Sequence, residues 1–376
     1  MNERPSVCVL GAGPAGLMAA IGLAHEGVAC QLLERSTKAD EKVCGEFLSP
    51  EAVARLDALK FPWAQADACK VRRICLQTAG RQVAMPLPFE ARSVQRSRLD
   101  SWLMEHARGL GVQVEQGVHV RDVERTADAF ELRTSEQTLL TSTLILATGK
   151  HALARFHART AGRSASLVGW KMNFHKLGAS LHAALHETLG LFFFKGGYGG
   201  ISLVGEDTMT VSLLVQPSVL QAAATGPLGL LEQEAQRLPL LQLVLKESQP
   251  LWSRPRTVAN LPYGYCATNA EPGVFPVGDQ FAVLPSFTGT GISFAMASGA
   301  LAAKHVAQGD SSSVYAASAQ QVARQVLRRA LPLHNGLQRP AFAGLAIRAL
   351  SWVPALLPII AKATRVPQAT PAKAVA

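Results

Sequence analysis

The residues whose spacing could do chemistry fall in two glycine-bearing turns and one acid. The first turn is Gly11-Ala12-Gly13-Pro14-Ala15-Gly16, with Glu34 following. Gly11 allows a tight turn. Gly13, having no Cβ, lets a backbone come close to a pyrophosphate. Gly16 permits close packing of a helix on a sheet. Unpaired N–H groups at a helix start then face the phosphates, and a carboxylate at Glu34 accepts ribose hydroxyls. The second group lies far along the chain: Gly278-Asp279, Pro285 and Gly289-Thr290-Gly291-Ile292. A third glycine run, Gly196-Gly197-Tyr198-Gly199-Gly200, joins two apolar stretches instead of opening a helix, so it is not read as a second dinucleotide turn.

The elements around the first turn fit this chemistry. Val7-Cys8-Val9-Leu10 is an apolar run of buried-strand type, Leu17 to Glu26 is helical in composition, and Val28 to Leu33 is a second apolar run ending at Glu34. Pro14 sits in the first helical turn, where its missing N–H costs nothing. Ser49-Pro50-Glu51 predicts a helix start with Ser49 as cap. Arg72 to Pro88 alternates as a hairpin turning at Ala79-Gly80. A helix is predicted over Leu99 to Arg108, and a buried strand over Thr143 to Ala147, ending at Thr148-Gly149. Ser166 to Val215 reads as β-rich, Pro217 to Gln249 as helical, and Gly291 to about Ala307 as a long helix.

The chain has 376 residues, 48% hydrophobic, enough for two domains or for one domain with an insertion. Its net charge of +10 is uneven: from Leu301 onward nine Lys/Arg face the single acid Asp310, so this tail carries +8 of it. These cations alternate with aliphatic residues and Trp352, unlike the aromatic-studded basic groove of a nucleic-acid binder. The pattern suits an anionic membrane surface or an acidic partner. Ala341 to Ala361 approaches the length of a span, but Arg348, Pro354 and Pro358 interrupt it, so a surface-bound or protein-packed helix pair is expected. Disorder is expected from about residue 367. The six cysteines form no C-x-x-C pair and no metal spacing, and no metal is expected. The polar start leading directly into a strand predicts no signal peptide and a cytoplasmic location, possible membrane association aside.

Three separated blocks carry a resemblance: Gly11 to Gly16 with Glu34-Arg35; Arg96 ahead of Leu99-Asp100; and Gly278-Asp279, Pro285, Gly289 to Ile292. Together they resemble the FAD-dependent oxidoreductases of the p-hydroxybenzoate hydroxylase fold, which includes aromatic monooxygenases, geranylgeranyl reductases and halogenases. The resemblance implies an α/β fold: a Rossmann-like FAD-binding domain (1–75, 93–160, 255–310), an inserted β-rich substrate domain (76–92, 161–254) and a C-terminal helical tail (311–376). It implies FAD as cofactor and NAD(P)H as a transient reductant. Asp279 would meet the ribityl chain, the helix opening at Gly291 would approach the flavin ring, and Arg96 would contact the cofactor, with Arg98 the alternative. Cys44-Gly45-Glu46 looks like the Cys-Gly-Gly-Gly loop of geranylgeranyl reductases beside the flavin. This makes Cys44 and Gly45 cofactor neighbours, and Cys44 and Glu46 candidate proton donors. Thr148-Gly149 departs from the Asp-Gly of aromatic hydroxylases. Gly169-Trp170-Lys171-Met172 lacks the Trp-x-Trp of halogenases, so halogenation is not expected.

The expected activity is NAD(P)H-dependent monooxygenation of an apolar, lipid-like or polyketide-like substrate. The alternatives are alkene reduction of the geranylgeranyl reductase type and, in another class, a flavin-bound electron-transfer partner without turnover of its own. The substrate would lie against Phe194, Tyr198 and Gly199, and membrane contact would run through 311–366. His151 and His175 are expected to be structural.

Overall fold

Five strands, Gln113–Gln116, Cys30–Glu34, Val7–Leu10, Thr143–Leu146 and Val274–Pro276, lie side by side in that order in the computed structural model, all parallel. The structure describes residues 7–151, 153, 156, 167–223 and 226–367. Val7 to Leu10 is buried along its whole length, as a central parallel strand covered on both faces must be. After this strand the chain builds outward on one side, then crosses to the other. The switch point therefore falls at the carboxyl end of Val7–Leu10, where nucleotide ligands bind in open α/β sheets.

Two helices cross one face of this sheet closely. A Cβ on Gly299, within the helix Gly291–Ala307, would lie 2.1 Å from the carbonyl oxygen of Ala15 in the helix Pro14–His25. A Cβ on Gly22 would lie 2.7 Å from the Ala303 methyl. Small residues on both helices thus set their close approach.

A second sheet of nine strands contains the hairpin Cys69–Thr78 and Arg81–Ser93, and Leu167–His175, Thr188–Phe194, Gly197–Gly205 and Thr208–Val215. The predicted boundary at 75/76 falls inside the strand Cys69–Thr78, all of which pairs within this sheet. The hairpin turns at Ala79-Gly80 as expected. Gly197 to Gly200 is strand, not linker. The predicted β segment also contains a helix, Ala179–Leu185. Ser49 occupies the cap position of the helix Pro50–Ala58, but its buried hydroxyl makes no capping bond.

One face of the large sheet, with Trp170, Met172, Phe192, Phe194 and Val211, packs on the helices Gly226–Ala235 and Pro239–Glu247. The other face, with Ile74, Leu76, Phe193, Tyr198 and Leu214, is roofed by the C-terminal helices Pro340–Trp352 and Leu356–Ala363. The tail beyond Asp310 is thus a long helix, Ser312–Leu337, followed by this short pair. No helix among the described residues is long and apolar enough to cross a membrane. The segment expected to be disordered lies outside the described residues, apart from Pro367.

Candidate functional site

The sequence-predicted cofactor residues gather at the carboxyl ends of the parallel strands. Gly11 adopts φ +108°, and a Cβ there would sit 2.5 Å from the carbonyl oxygen of Ala147. A Cβ on Gly16 would meet the Gly11 carbonyl oxygen at 1.9 Å. Around Gly13, by contrast, a Cβ would meet nothing within 4 Å. The same open space stands at Gly291, the first residue of its helix. Gly278 (φ +57°) packs against Ala15, which brings the turn carrying Asp279 onto the first glycine turn.

Glu34 ends its strand with both carboxylate oxygens already oriented. Oε2 accepts from the Ala12 N–H at 2.7 Å and Oε1 from the Ser36 N–H at 2.9 Å. An ionised carboxylate has about four acceptor positions, so room remains for ribose hydroxyls. The Arg35 guanidinium lies 3.1 Å from Nε2 of His151. Arg96 is partly buried, and its guanidinium forks onto the buried Asp100 at 3.1 and 2.8 Å. Arg98, the alternative, points out to Asp67 and the Ala66 carbonyl.

The Cys44 loop joins the two halves. Phe47 packs its ring on Gly289 (φ +65°), and Gly45 faces the Ser212 hydroxyl. Glu46 is fully buried with φ +57°, a conformation usually left to glycine. Its Oε1 accepts from the Arg96 N–H at 2.8 Å and from Lys171 Nζ at 2.6 Å. Lys171 is itself fully buried and also binds Glu41 at 2.6 Å. Burial raises the Glu46 carboxyl above its ordinary value despite this lysine. Strain of this kind survives only where the surroundings over-determine it, as the ion pair does here. Glu46 does not line the cavity described next. Its place under the loop is that of a brace, and the loop residue on the cavity wall is Cys44.

Beside this loop lies a cavity of about 240 Å³. Its walls come from the large sheet (Ile74, Leu76, Leu191, Phe193, Leu214, Leu261) and from the C-terminal helices (Ile347, Leu350, Leu357, Ile360). Polar residues on its wall include Cys44, Lys150, Ser212, Tyr263, Ser286, Thr288 and Arg365. Tyr198 and Gly199 line it as expected. Phe194 does not: strand alternation turns it to the opposite, helix-covered face, and Phe193 takes the wall position.

The sequence reading missed His334. It is fully buried in the helix Ser312–Leu337 with Nδ1 3.1 Å from the Tyr198 hydroxyl, and burial holds its pKa down to about 4. Tyr263 exchanges a 2.5 Å hydrogen bond with Ser286. Burial pushes both tyrosines above their ordinary range, so both remain hydroxyl donors at neutral pH.

A glycine turn open at Gly13, an acid at the tip of the neighbouring strand and a second helix start open at Gly291 are the parts that a flavin dinucleotide site needs. The chain belongs to the FAD binding domain family, whose profile matches residues 4–330. It is 26% identical over 328 residues to menaquinone reductase of Mycolicibacterium smegmatis, covering 82% of this chain and 78% of that protein. A 58-residue stretch is 47% identical to 6-methylpretetramide 4-monooxygenase of Streptomyces rimosus, covering 15% of this chain and 14% of that one. Among solved structures, the flavin-dependent brominase Bmp2 superposes with a TM-score of 0.78 at 16% identity, covering 96% of this chain and 94% of that one. At this identity the likeness speaks for the fold alone, that of the p-hydroxybenzoate hydroxylase-like flavoproteins.

Proposed function

We propose that the protein is an FAD-dependent monooxygenase that hydroxylates an apolar, lipid-like or polyketide-like substrate, with NAD(P)H as electron donor. The observation that carries this reading is the cavity: most of its wall is aliphatic or aromatic, and the Cys44-Gly45 loop and Ser286 to Gly289 both line it. FAD, when bound, supplies the redox chemistry, accepting hydride and activating dioxygen in its reduced form.

The chain's own residues then bind, orient and exclude water. Gly11 to Gly16, Glu34 and Arg96 would hold the dinucleotide half, and Gly278-Asp279 with Gly289 to Ile292 the flavin half. The aliphatic roof keeps water from the reacting end, which strengthens each polar contact inside. The paired hydroxyls of Tyr263 and Ser286 suit a substrate hydroxyl. Tyr198, held by a neutral His334, can orient such a hydroxyl by hydrogen bonding, while the low basicity of the buried imidazole leaves it a positioning partner.

One observation favours a second reading. Menaquinone reductase is similar over most of this chain, and an alkene reductase would use the same cavity with Cys44 placed to give a proton. Oxygen isotope labelling separates the two. FAD-loaded protein given NAD(P)H and long-chain phenols under ¹⁸O₂ is expected to form product one labelled oxygen heavier. Product formed without oxygen from chemically reduced protein would overturn hydroxylation in favour of reduction. Substrate-dependent halogenation on adding bromide or chloride would overturn it in another direction.

A further inference from the structure

We propose that the helix pair Pro340–Trp352 and Leu356–Ala363 is a lid that seats its outer face on an anionic lipid bilayer. Among the described residues nine large apolar side chains are exposed, and five of them belong to this pair or its connection: Phe342, Leu345, Trp352 and Ile359 on the helices and Val353 between them. Trp352 is 70% exposed, Leu345 65% and Ile359 64%. An apolar patch of this kind on a folded surface marks an interaction site. The inner face of the same two helices closes the cavity through Ile347, Leu350, Leu357 and Ile360. One pair of helices therefore separates the cavity from whatever covers its outer face.

Charge identifies the occupant. The exposed cations on this face are Arg339, Arg348 and Lys362, and no acidic residue follows Asp310 in the chain. The Arg348 guanidinium lies 4.4 Å over the Trp352 ring, an arrangement suited to the headgroup level, where indole and guanidinium both reside. A second copy of this chain meeting the same face would set these cations against their own images, and the tail beyond Asp310 offers no carboxylate to pair them. An anionic bilayer pairs them all. The helices have 13 and 8 residues, about 20 and 12 Å long, against a hydrocarbon core of about 30 Å, so they lie in the interface instead of crossing it. The far end of the lid is tied down by Arg365, which binds Glu51 at 2.7 Å and stacks 3.8 Å over Phe89.

The lid's role in admitting a lipid-like substrate rests on the proposed function; its contact with the bilayer does not, and the test reads the contact alone. Full-length FAD-loaded protein is sedimented with vesicles of phosphatidylcholine, with or without phosphatidylglycerol, at low and high salt. Capture by the anionic vesicles and its loss at high salt are expected. Arg348→Gln with Lys362→Gln should weaken capture on the order of fivefold per cation removed. Leu345→Ser with Trp352→Ser and Ile359→Ser should abolish it while flavin absorbance is retained. Wild-type protein that ignores anionic vesicles would overturn the proposal. So would undiminished capture of the serine variant, or a dimer in sedimentation that this variant dissolves.

Discussion

Lys171 Nζ lies 2.6 Å from Oε1 of Glu46, and neither side chain reaches solvent. The pair fixes the left-handed Glu46 under the Cys44 loop. A buried charge left without its partner is costly, so Lys171→Met should lower stability by about 3–5 kcal/mol. Lys171→Met combined with Glu46→Gln should recover much of that loss, because the orphaned carboxylate is gone. Denaturant unfolding of both variants checks this. Equal losses would show that packing around Lys171, not charge pairing, sets the cost.

His334 makes stability depend on pH in one direction. Burial depresses its pKa from 6.5 to about 4, so between these values the unfolded chain binds the extra proton. Stability is full above pH 6.5 and falls as pH drops toward 4. The contribution lost from pH 7 to pH 5 is about 2 kcal/mol. His334→Gln should flatten this part of the stability curve relative to wild type, read as the difference in Tm between pH 7 and pH 5.

The cavity roof gives a prediction on activity. Ile347→Trp fills space that the substrate would occupy without touching the glycine turns. Activity on the largest accepted substrate should fall roughly ten- to hundredfold in kcat/KM, with the flavin spectrum unchanged. An equal loss for all chain lengths would place the substrate elsewhere.

Much of this was legible from local sequence. Gly11, Gly13, Gly16 and Glu34 announce a strand, a turn, a helix and an acid because neighbours along the chain determine their geometry. The coming together of Gly278 and Ala15 was legible only through the family resemblance. What escaped depends on distant partners. By sequence Glu46 reads as a proton donor; Lys171, 125 residues away, occupies its carboxylate. Tyr198 was visible, but its partner His334 lies 136 residues further on. Phe194 and Phe193 differ only in which face of the strand each takes, and an unbroken phenylalanine run carries no alternation to decide it. The domain boundary drawn at 75/76 failed for a related reason: pairing with Thr188–Phe194, not composition, assigns the strand Cys69–Thr78 to the large sheet.

The account stands on a flavin dinucleotide lying over Gly13, and Gly13 and Gly16 give opposite outcomes. Gly16→Ala forces a Cβ to 1.9 Å from the Gly11 carbonyl oxygen and should impair folding itself. Gly13→Val enters open space at φ −81° and should fold. The direct measurement is an FAD titration of wild-type and Gly13→Val protein, followed by visible absorbance, with circular dichroism as the check on folding. Wild type should bind FAD, and folded Gly13→Val should bind it roughly ten- to hundredfold more weakly through lost contacts to the pyrophosphate. Wild-type protein that leaves added FAD unbound, or folded Gly13→Val that binds it equally well, would contradict the account.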